Sequence, residues 1–297
     1  MIDINLKGMG VALITPFKED GSVDFEALIK LVDYQLQNGT DYLVVLGTTA
    51  ETPTLTEEEK ENIIHLITTK IRGRIPVVLG VGGNCTHAVT EQLKHGRFEG
   101  IDAILSVTPY YNKPSQEGLY QHYKAISEAT DLPVVLYNVP GRTGVNMTAA
   151  TTLRIARECK NVIAIKEASG NITQMDDIIK NKPANFNVIS GDDGITFPLI
   201  TLGAIGVISV IGNAFPREFS RMVRLALAGD YNSARTIHHS FTELFDLLFV
   251  DGNPAGVKSM LNAMGYIENK LRLPLVPTRI TTFEKIRDVL RQLSIRC

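Results

Sequence analysis

Val162-Ile163-Ala164-Ile165-Lys166-Glu167-Ala168-Ser169-Gly170 begins with four apolar residues, three of them β-branched, and then turns abruptly to charge. A short apolar run closed by polar and small residues is the pattern of a strand buried on both faces, as in a parallel sheet covered by helices. Lys166 ends that run, so its amine is expected beside apolar walls. Such walls disfavour an ammonium and leave a free amine able to attack a carbonyl carbon. The position also suits a lysine that snorkels from a strand end or pairs with a carboxylate such as Glu167. The rest of the chain decides between these readings.

Outward from this strand the same unit repeats. Apolar, β-rich segments recur at 11–15, 42–47, 76–81, 103–108, 133–137, 162–166, 187–190 and 207–210. Helical patterns fill the gaps, several with clear starts. Asp24 precedes the run 25–36, which stops at Asn38-Gly39, and Thr56 with Glu59 forms a capping box. Thr86 and Ser115 are expected to cap the next two helices, and Thr148 the helix after the fifth strand. Alternation of strand and helix implies parallel pairing with right-handed crossovers. The first strand–helix turn, Thr15-Pro16-Phe17-Lys18, lacks the glycine fingerprint of an open dinucleotide-binding sheet. Gly80-Val81-Gly82-Gly83 is glycine-rich but weak evidence alone. The expectation is an α/β fold, a (β/α)8 TIM barrel. After Asn213 the chain runs on to residue 297, too far for one closing helix. Helical patterns at 216–228, 231–249, 254–264 and 281–293 add a C-terminal helical appendage, with Asn253-Pro254 expected as N-cap and first helical residue. This divides the chain into a barrel over 1–225 and a helical region over 226–297 packed on it.

Composition bounds the function. Of 297 residues, 44% are apolar and 21% charged, and the formal net charge is −2. No attraction to nucleic acid or anionic lipid is implied. The alternating Arg279, Glu284, Lys285, Arg287, Asp288 and Arg291 read as a solvated helix face. Cys85, Cys159 and Cys297 are odd in number and far apart, so neither a disulfide framework nor a zinc site is suggested. Met1-Ile2-Asp3-Ile4-Asn5 has no signal-peptide pattern, and a reducing cytoplasm is the default expectation. The uncharged stretch 197–216 is long enough to span a bilayer, but it holds Pro198, Gly203, Gly206, Gly212 and Asn213. A short helix, a turn and a buried strand are expected there instead.

A barrel's active site is built from the residues that end its strands. Here these are Gly47-Thr48-Thr49-Ala50-Glu51, Thr108-Pro109-Tyr110-Tyr111-Asn112, Tyr137-Asn138-Val139-Pro140-Gly141-Arg142-Thr143-Gly144, Lys166, and Ser190-Gly191-Asp192-Asp193. No histidine stands among them; His87 comes nearest, and His65, His95, His122, His238 and His239 fall in helical patterns. This argues against histidine-activated nucleophiles and histidine metal sites. Asp192-Asp193 makes a poor metal site without further ligands and is read as a helix cap; no metal and no cofactor are expected. One lysine, several hydroxyls and one arginine suit imine chemistry on an anionic carbonyl compound. Lys166 would attack the keto carbon. Tyr137 would carry a proton, relayed through a hydroxyl such as Thr48. Backbone N–H groups at Thr48-Thr49 could hold a carboxylate, and Arg142 offers a planar fork for a second. Taken singly, Thr48 and Thr49 also suit turn residues, Tyr110 and Tyr111 packing, and Arg142 a surface ion pair.

Gly47-Thr48-Thr49-x-Glu51, Tyr110-Tyr111, Tyr137-Asn138-Val139-Pro140-x-Arg142-Thr143-Gly144, Ile165-Lys166-Glu167 and Gly191-Asp192-Asp193 together resemble the pyruvate-dependent class I aldolase family, the N-acetylneuraminate lyase superfamily. The resemblance runs from about Gly8 to Asn253-Pro254-x-x-Val257-Lys258 and Leu271-Arg272-Leu273-Pro274. The lysine and the Gly-Thr-Thr-x-Glu motif mark only the superfamily, whereas sialic-acid lyases lack an arginine equivalent to Arg142. The resemblance implies condensation of pyruvate with L-aspartate 4-semialdehyde in lysine and diaminopimelate biosynthesis. It assigns the imine to Lys166 and the proton relay to Thr48, Tyr137 and Tyr111. Thr48, Thr49, Arg142, Gly191 and Ile208 would bind substrate. A homotetramer of tight dimers is implied, with Tyr111 reaching into the partner's site. Ala50, where many members carry glycine, is a departure that removes no functional group.

Two other readings stay open: a related aldolase acting on sugar acids or hydroxyproline-derived keto acids, and an inactive barrel that binds a keto acid and regulates a partner. A pyridoxal-phosphate lysine is disfavoured, since no separate phosphate loop is evident. In relatives inhibited by L-lysine, residues after strands two to four form an effector pocket. Asn84 and Tyr110 match that pattern, but Ala88 stands where a glutamate is expected and Lys60 where a histidine is common. Inhibition by lysine is therefore expected to be weak or absent, unless Glu57 or Glu58 substitutes.

Overall fold

The structure, a computed structural model, describes residues 4–296. Met1, Ile2, Asp3 and Cys297, used above in reading the terminus and the cysteine spacing, lie outside the described residues. Eight strands close a parallel barrel in chain order: β1 (Gly8–Ala12), β2 (Tyr42–Val45), β3 (Val77–Gly80), β4 (Ala103–Val107), β5 (Val134–Asn138), β6 (Val162–Glu167), β7 (Asn187–Ser190) and β8 (Gly206–Ser209). Closure satisfies both edges of the sheet, so no strand edge is left unpaired. Successive residues point alternately inward and outward. Leu43, Val45, Ile104, Leu136 and Val188 face outward and pack with helix residues such as Leu31, Ile67, Leu119 and Val223. Tyr42, Val44, Leu105, Val135, Ala164 and Ile189 fill the interior.

One irregularity positions the site. The β5–β6 ladder slips between Val134 and Val135: Val134 pairs with Val162, but Val135 pairs with Ala164. Ile163 is the extra residue of a β-bulge. Val162 accordingly packs with the outer layer, while Ile163 and Ala164 both join the interior. Beyond the bulge the ladder places Tyr137 opposite Lys166 and Asn138 opposite Glu167. Without the extra residue, alternation counted from Val162 would turn Lys166 outward, toward the helices.

The seams differ in strength. Five registered pairs join β5 to β6, but a single pair, Ser190 with Val207, joins β7 to β8. There Asp193 substitutes for a ladder: its Oδ2 accepts from Val210 N (2.9 Å) and Ile211 N (2.8 Å). Burial raises the pKa of this carboxyl to about 6, against the lowering effect of Ser209 and the two amides.

The helix starts follow local chemistry. Asp24, Ser115 and Thr148 cap their helices, and Thr56 with Glu59 forms the expected box. Four expectations are corrected. The first strand lies at Gly8–Ala12 rather than 11–15, because its glycines disguise it: a Cβ at Gly10 would stand 2.1 Å from the Tyr42 ring that fills this level of the barrel. Thr86 is the first residue of its helix, not the cap, and its hydroxyl lies 2.8 Å from His122 Nδ1. The helix expected at 231–249 breaks at Phe241, whose ring is buried against Phe215, Phe219 and Phe245. Pro254 itself caps Ala255–Ala263, while Asn253 turns its amide to Thr49. The uncharged stretch 197–216 resolves into the end of helix Thr196–Leu202, strand β8, a 3-10 turn and the start of helix Pro216–Leu227. Among the described residues no helix is long and apolar enough to cross a membrane.

The C-terminal helices are fastened to the barrel mouth by a buried ion pair. Lys258 Nζ donates to Glu51 Oε1 (2.5 Å) and to Lys270 O (3.0 Å), and both side chains are 0% exposed. Glu51 Oε2 accepts from Arg272 N, and the Arg272 guanidinium reaches both oxygens of Glu59. Phe17 lies under both cations, its centroid 4.1 Å from Lys258 Nζ. Burial brings the Lys258 pKa down to about 8, with Glu51 opposing the shift. Lys258→Ala strands the Glu51 charge, and breaking such a pair costs about 3–5 kcal/mol. The denaturant midpoint is expected to fall accordingly, and the paired change Glu51→Gln with Lys258→Met to recover much of the loss. A Lys258→Ala variant as stable as the parent would contradict this account.

Candidate active site

β6 ends by lifting Lys166 into the barrel interior, 5% exposed, with Tyr137 and Ile189 as its ladder neighbours. Its Nζ lies 4.2 Å from the centroid of the Tyr137 ring. Gly191 makes the room: a Cβ there would stand 3.1 Å from Lys166 Cε and 2.7 Å from the Ala168 Cβ. Among the described residues Lys166 takes no carboxylate partner. Glu167 points the other way, where it accepts from Asn138 Nδ2, Ser169 N (2.8 Å) and Gln174 Nε2 (3.1 Å). Desolvation raises the Glu167 pKa in spite of those donors. The pairing of Lys166 with Glu167 is therefore not what the strand builds.

A cavity of about 390 Å³ opens at the mouth, and Thr48, Tyr110, Tyr137, Arg142 and Asn253 are among its lining. Thr48–Ala50 form a 3-10 turn, so the opening Thr48 and Thr49 N–H groups have no partner inside it. Arg142 sits in the single helical turn Pro140–Thr143, ended by Gly144 in the left-handed region. The Thr143 hydroxyl ties that turn to Val139 O and Val145 O. Behind it, Asn138 accepts from Met147 N and donates to Asn146 and Glu167. Arg142 is exposed and has no acidic partner among the described residues. Four non-glycine residues with positive φ, Leu46, Glu51, Tyr111 and Lys113, lie in the loops after β2 and β4, the kind of backbone strain that gathers at functional sites.

The sequence-predicted residues fall in three groups. Thr48, Tyr137 and Arg142 line the cavity together. Lys166 adjoins Tyr137 without itself lining the cavity; buried Thr49 and Ile208 and half-buried Gly191, at the turn after β2 and the ends of β8 and β7, do not line it either. Tyr111 is apart: it is 88% exposed at φ 72 and does not line the mouth cavity. No hydrogen bond joins Thr48 to Tyr137 or Tyr111 among the described residues. Asp192 and Asp193 hold backbone, Asp192 accepting from Gly194 N (2.8 Å), and no metal-binding group of His, Cys, Asp and Glu occurs among the described residues. Sequence reasoning missed Asn253, Pro274 and Leu275 as cavity walls. It also missed the buried partner of Glu51, although a lone lysine within Val257-Lys258-Ser259-Met260-Leu261 was a visible signal. A larger groove of about 1070 Å³ runs between helices Glu57–Ile71 and Thr86–His95. Tyr137 and Arg142 line the mouth cavity and not this groove, and Lys166, which lines neither, stands against Tyr137, so we take the mouth as the reaction site.

Comparison with known proteins places the chain in a family. A 4-hydroxy-tetrahydrodipicolinate synthase of Parabacteroides distasonis is 86% identical over 297 residues, all of both chains. A crystal structure of dihydrodipicolinate synthase from Thermotoga maritima superimposes with a TM-score of 0.94 at 46% identity, covering 97% of this chain and 98% of that one. The structure of DHDPS from Cyanidioschyzon merolae with lysine bound gives 0.94 at 37% identity, over 98% and 99%. The model of the dihydrodipicolinate synthetase family matches residues 5–293, and the chain belongs to that family.

Proposed function

We propose that the protein is a lyase of the class I aldolase type that condenses pyruvate with L-aspartate 4-semialdehyde to 4-hydroxy-tetrahydrodipicolinate, in lysine and diaminopimelate biosynthesis. The observation that carries this reading is a buried lysine with no acidic partner among the described residues, set against a tyrosine at the mouth of a barrel. The names of the relatives support the choice of substrates.

In this reading the Lys166 amine adds to the keto carbon of pyruvate and water leaves, giving an imine. The pyruvate carboxylate rests on the Thr48 and Thr49 N–H groups. Tyr137 gives its own proton to the departing water and, as the phenolate, takes a methyl proton; the resulting enamine attacks the aldehyde carbon of the second substrate, and the alkoxide formed takes that proton back from Tyr137. Arg142, without an acidic partner among the described residues, holds that substrate's carboxylate. The substrate's own amine then adds to the imine carbon, expels Lys166 and closes the ring. The barrel over 1–225 supplies this chemistry and the helices over 226–297 complete its wall. The protein acts in the cytoplasm as a homotetramer of tight dimers; the exposed, strained Tyr111 supports the part of this reading in which it enters the neighbouring subunit's site and closes the relay with Thr48 and Tyr137.

Borohydride added with pyruvate is expected to leave one three-carbon adduct, on Lys166, by mass spectrometry. Arg142→Ala is expected to keep that adduct and to lose condensation by roughly tenfold to more than a hundredfold, the worth of a charge-assisted hydrogen bond. No adduct in the parent would remove the imine mechanism, and an unimpaired Arg142→Ala would remove the second substrate.

Tyr111→Phe is expected to lose turnover while remaining folded. Mixing it with an inactive Lys166→Ala chain should restore part of the rate, since one mixed site keeps both groups. Mixtures with no recovered activity would place Tyr111 in its own site or in packing.

L-lysine is expected to inhibit only above the millimolar range. Lys60 Nζ is paired with Glu57 at 2.7 Å, which occupies one acid that could have replaced the missing glutamate, and Ala88 is exposed with no charge to offer. Half-inhibition at micromolar lysine, in a steady-state assay, would overturn this.

A further inference from the structure

Asn253 comes from the C-terminal segment, yet it lines the mouth cavity and is only 7% exposed. Its Nδ2 donates to Thr49 Oγ1 at 3.1 Å, across 204 positions of chain. An amide NH2 has no lone pair to give, so in this contact the threonine oxygen accepts. The hydroxyl keeps its own proton for another acceptor. Among the described residues no acceptor receives it, although Thr49 is 2% exposed, and Asn253 Oδ1 on the other side of the same amide is likewise buried without a partner. A buried donor without an acceptor is costly in the free protein and is satisfied by a bound acceptor. Thr48, which opens the same 3-10 turn, lines the cavity together with Asn253, and Thr49 lies directly behind it, so a carboxylate seated at the start of this turn is within the reach of the Thr48 and Thr49 N–H groups and the Thr49 hydroxyl.

The contact is clasped on both sides. Two residues past Thr49, Glu51 takes the Lys258 ammonium, and Lys258 stands five residues past Asn253. The same two segments thus meet twice, at a neutral hydrogen bond in the cavity wall and at a fully buried ion pair behind it. The second contact fixes the first in register.

We infer that Asn253 is a positioning residue for the keto-acid carboxylate: by donating to Thr49 it reserves the Thr49 O–H for the bound anion. This rests on the proposed imine chemistry at Lys166, and it assigns the C-terminal segment a part in binding the first substrate. Asn253 touches no reacting atom; its effect passes entirely through Thr49.

The test is a double-mutant cycle on the full chain, read as the pyruvate concentration that half-saturates borohydride-trapped imine. Asn253→Ala and Thr49→Val should each raise it about tenfold to a hundredfold, the loss of one charge-assisted bond, with trapping at saturation retained. The double variant should be no worse than Thr49→Val alone, because the amide then has no hydroxyl to orient. Asn253→Asp, nearly the same shape, replaces the donor by an acceptor and should bind pyruvate more weakly than Asn253→Ala. Methyl pyruvate, which lacks the charge, should show little change in any variant. Single effects that multiply in the double variant, or an Asn253→Asp chain that binds pyruvate as the parent does, would overturn the inference. Should Asn253→Ala fail to fold, the Asp variant with and without Thr49→Val decides it alone. Absence of any trapped adduct in the parent would instead overturn the Lys166 chemistry, a separate result.

Discussion

One extra residue in β6 sets the orientation on which the candidate site depends. In a closed barrel, alternation alone decides which side chains enter the interior, and a slip of one reverses every later residue. Ile163 supplies that slip. It turns Val162 outward, Lys166 inward beside Tyr137, and Glu167 outward onto Asn138 and Gln174. The two charges of neighbouring residues are thereby held on opposite sides of one strand. The amine meets an aromatic face and the carboxylate meets amide donors, so neither neutralises the other.

Much of this was legible in the chain. The repeat of apolar runs and capped helices was enough for the barrel, and the strand-end inventory named Thr48, Tyr137 and Arg142, which line one cavity, and Lys166 beside Tyr137. The bulge was not legible, because Val162, Ile163, Ala164 and Ile165 are all apolar and show no alternation to interrupt. Nor was β1, where the glycines that admit the Tyr42 ring look like a turn. Asn253 was misjudged for a different reason. Asn-Pro is a strong local signal for a helix start, but a partner 204 positions away claimed the side chain. Local propensity describes what a residue does when nothing distant offers more.

The helices beyond the barrel belong to the site as much as the strands do. Pro274 and Leu275 wall the cavity, Arg272 grips Glu59, and Lys258 neutralises Glu51 inside the protein. A buried ion pair contributes little net stability compared with an apolar substitute, but it tolerates no mispairing. Its value here is geometric. It permits one way of laying residues 253–272 across the turn after β2, and that turn carries both threonines.

A ring is as strong as its weakest joint, and this ring has a recognisable one. Between β7 and β8 a single registered pair stands where other seams have several, and the Asp193 carboxylate holds the next two amides in place of a third strand bond. That joint lies beside Gly191, against the stem of Lys166. Breathing of the barrel would therefore begin at the wall of its own reaction chamber, so that the first hydrogen-exchange opening of the protein and the loosening of its chemistry are one motion.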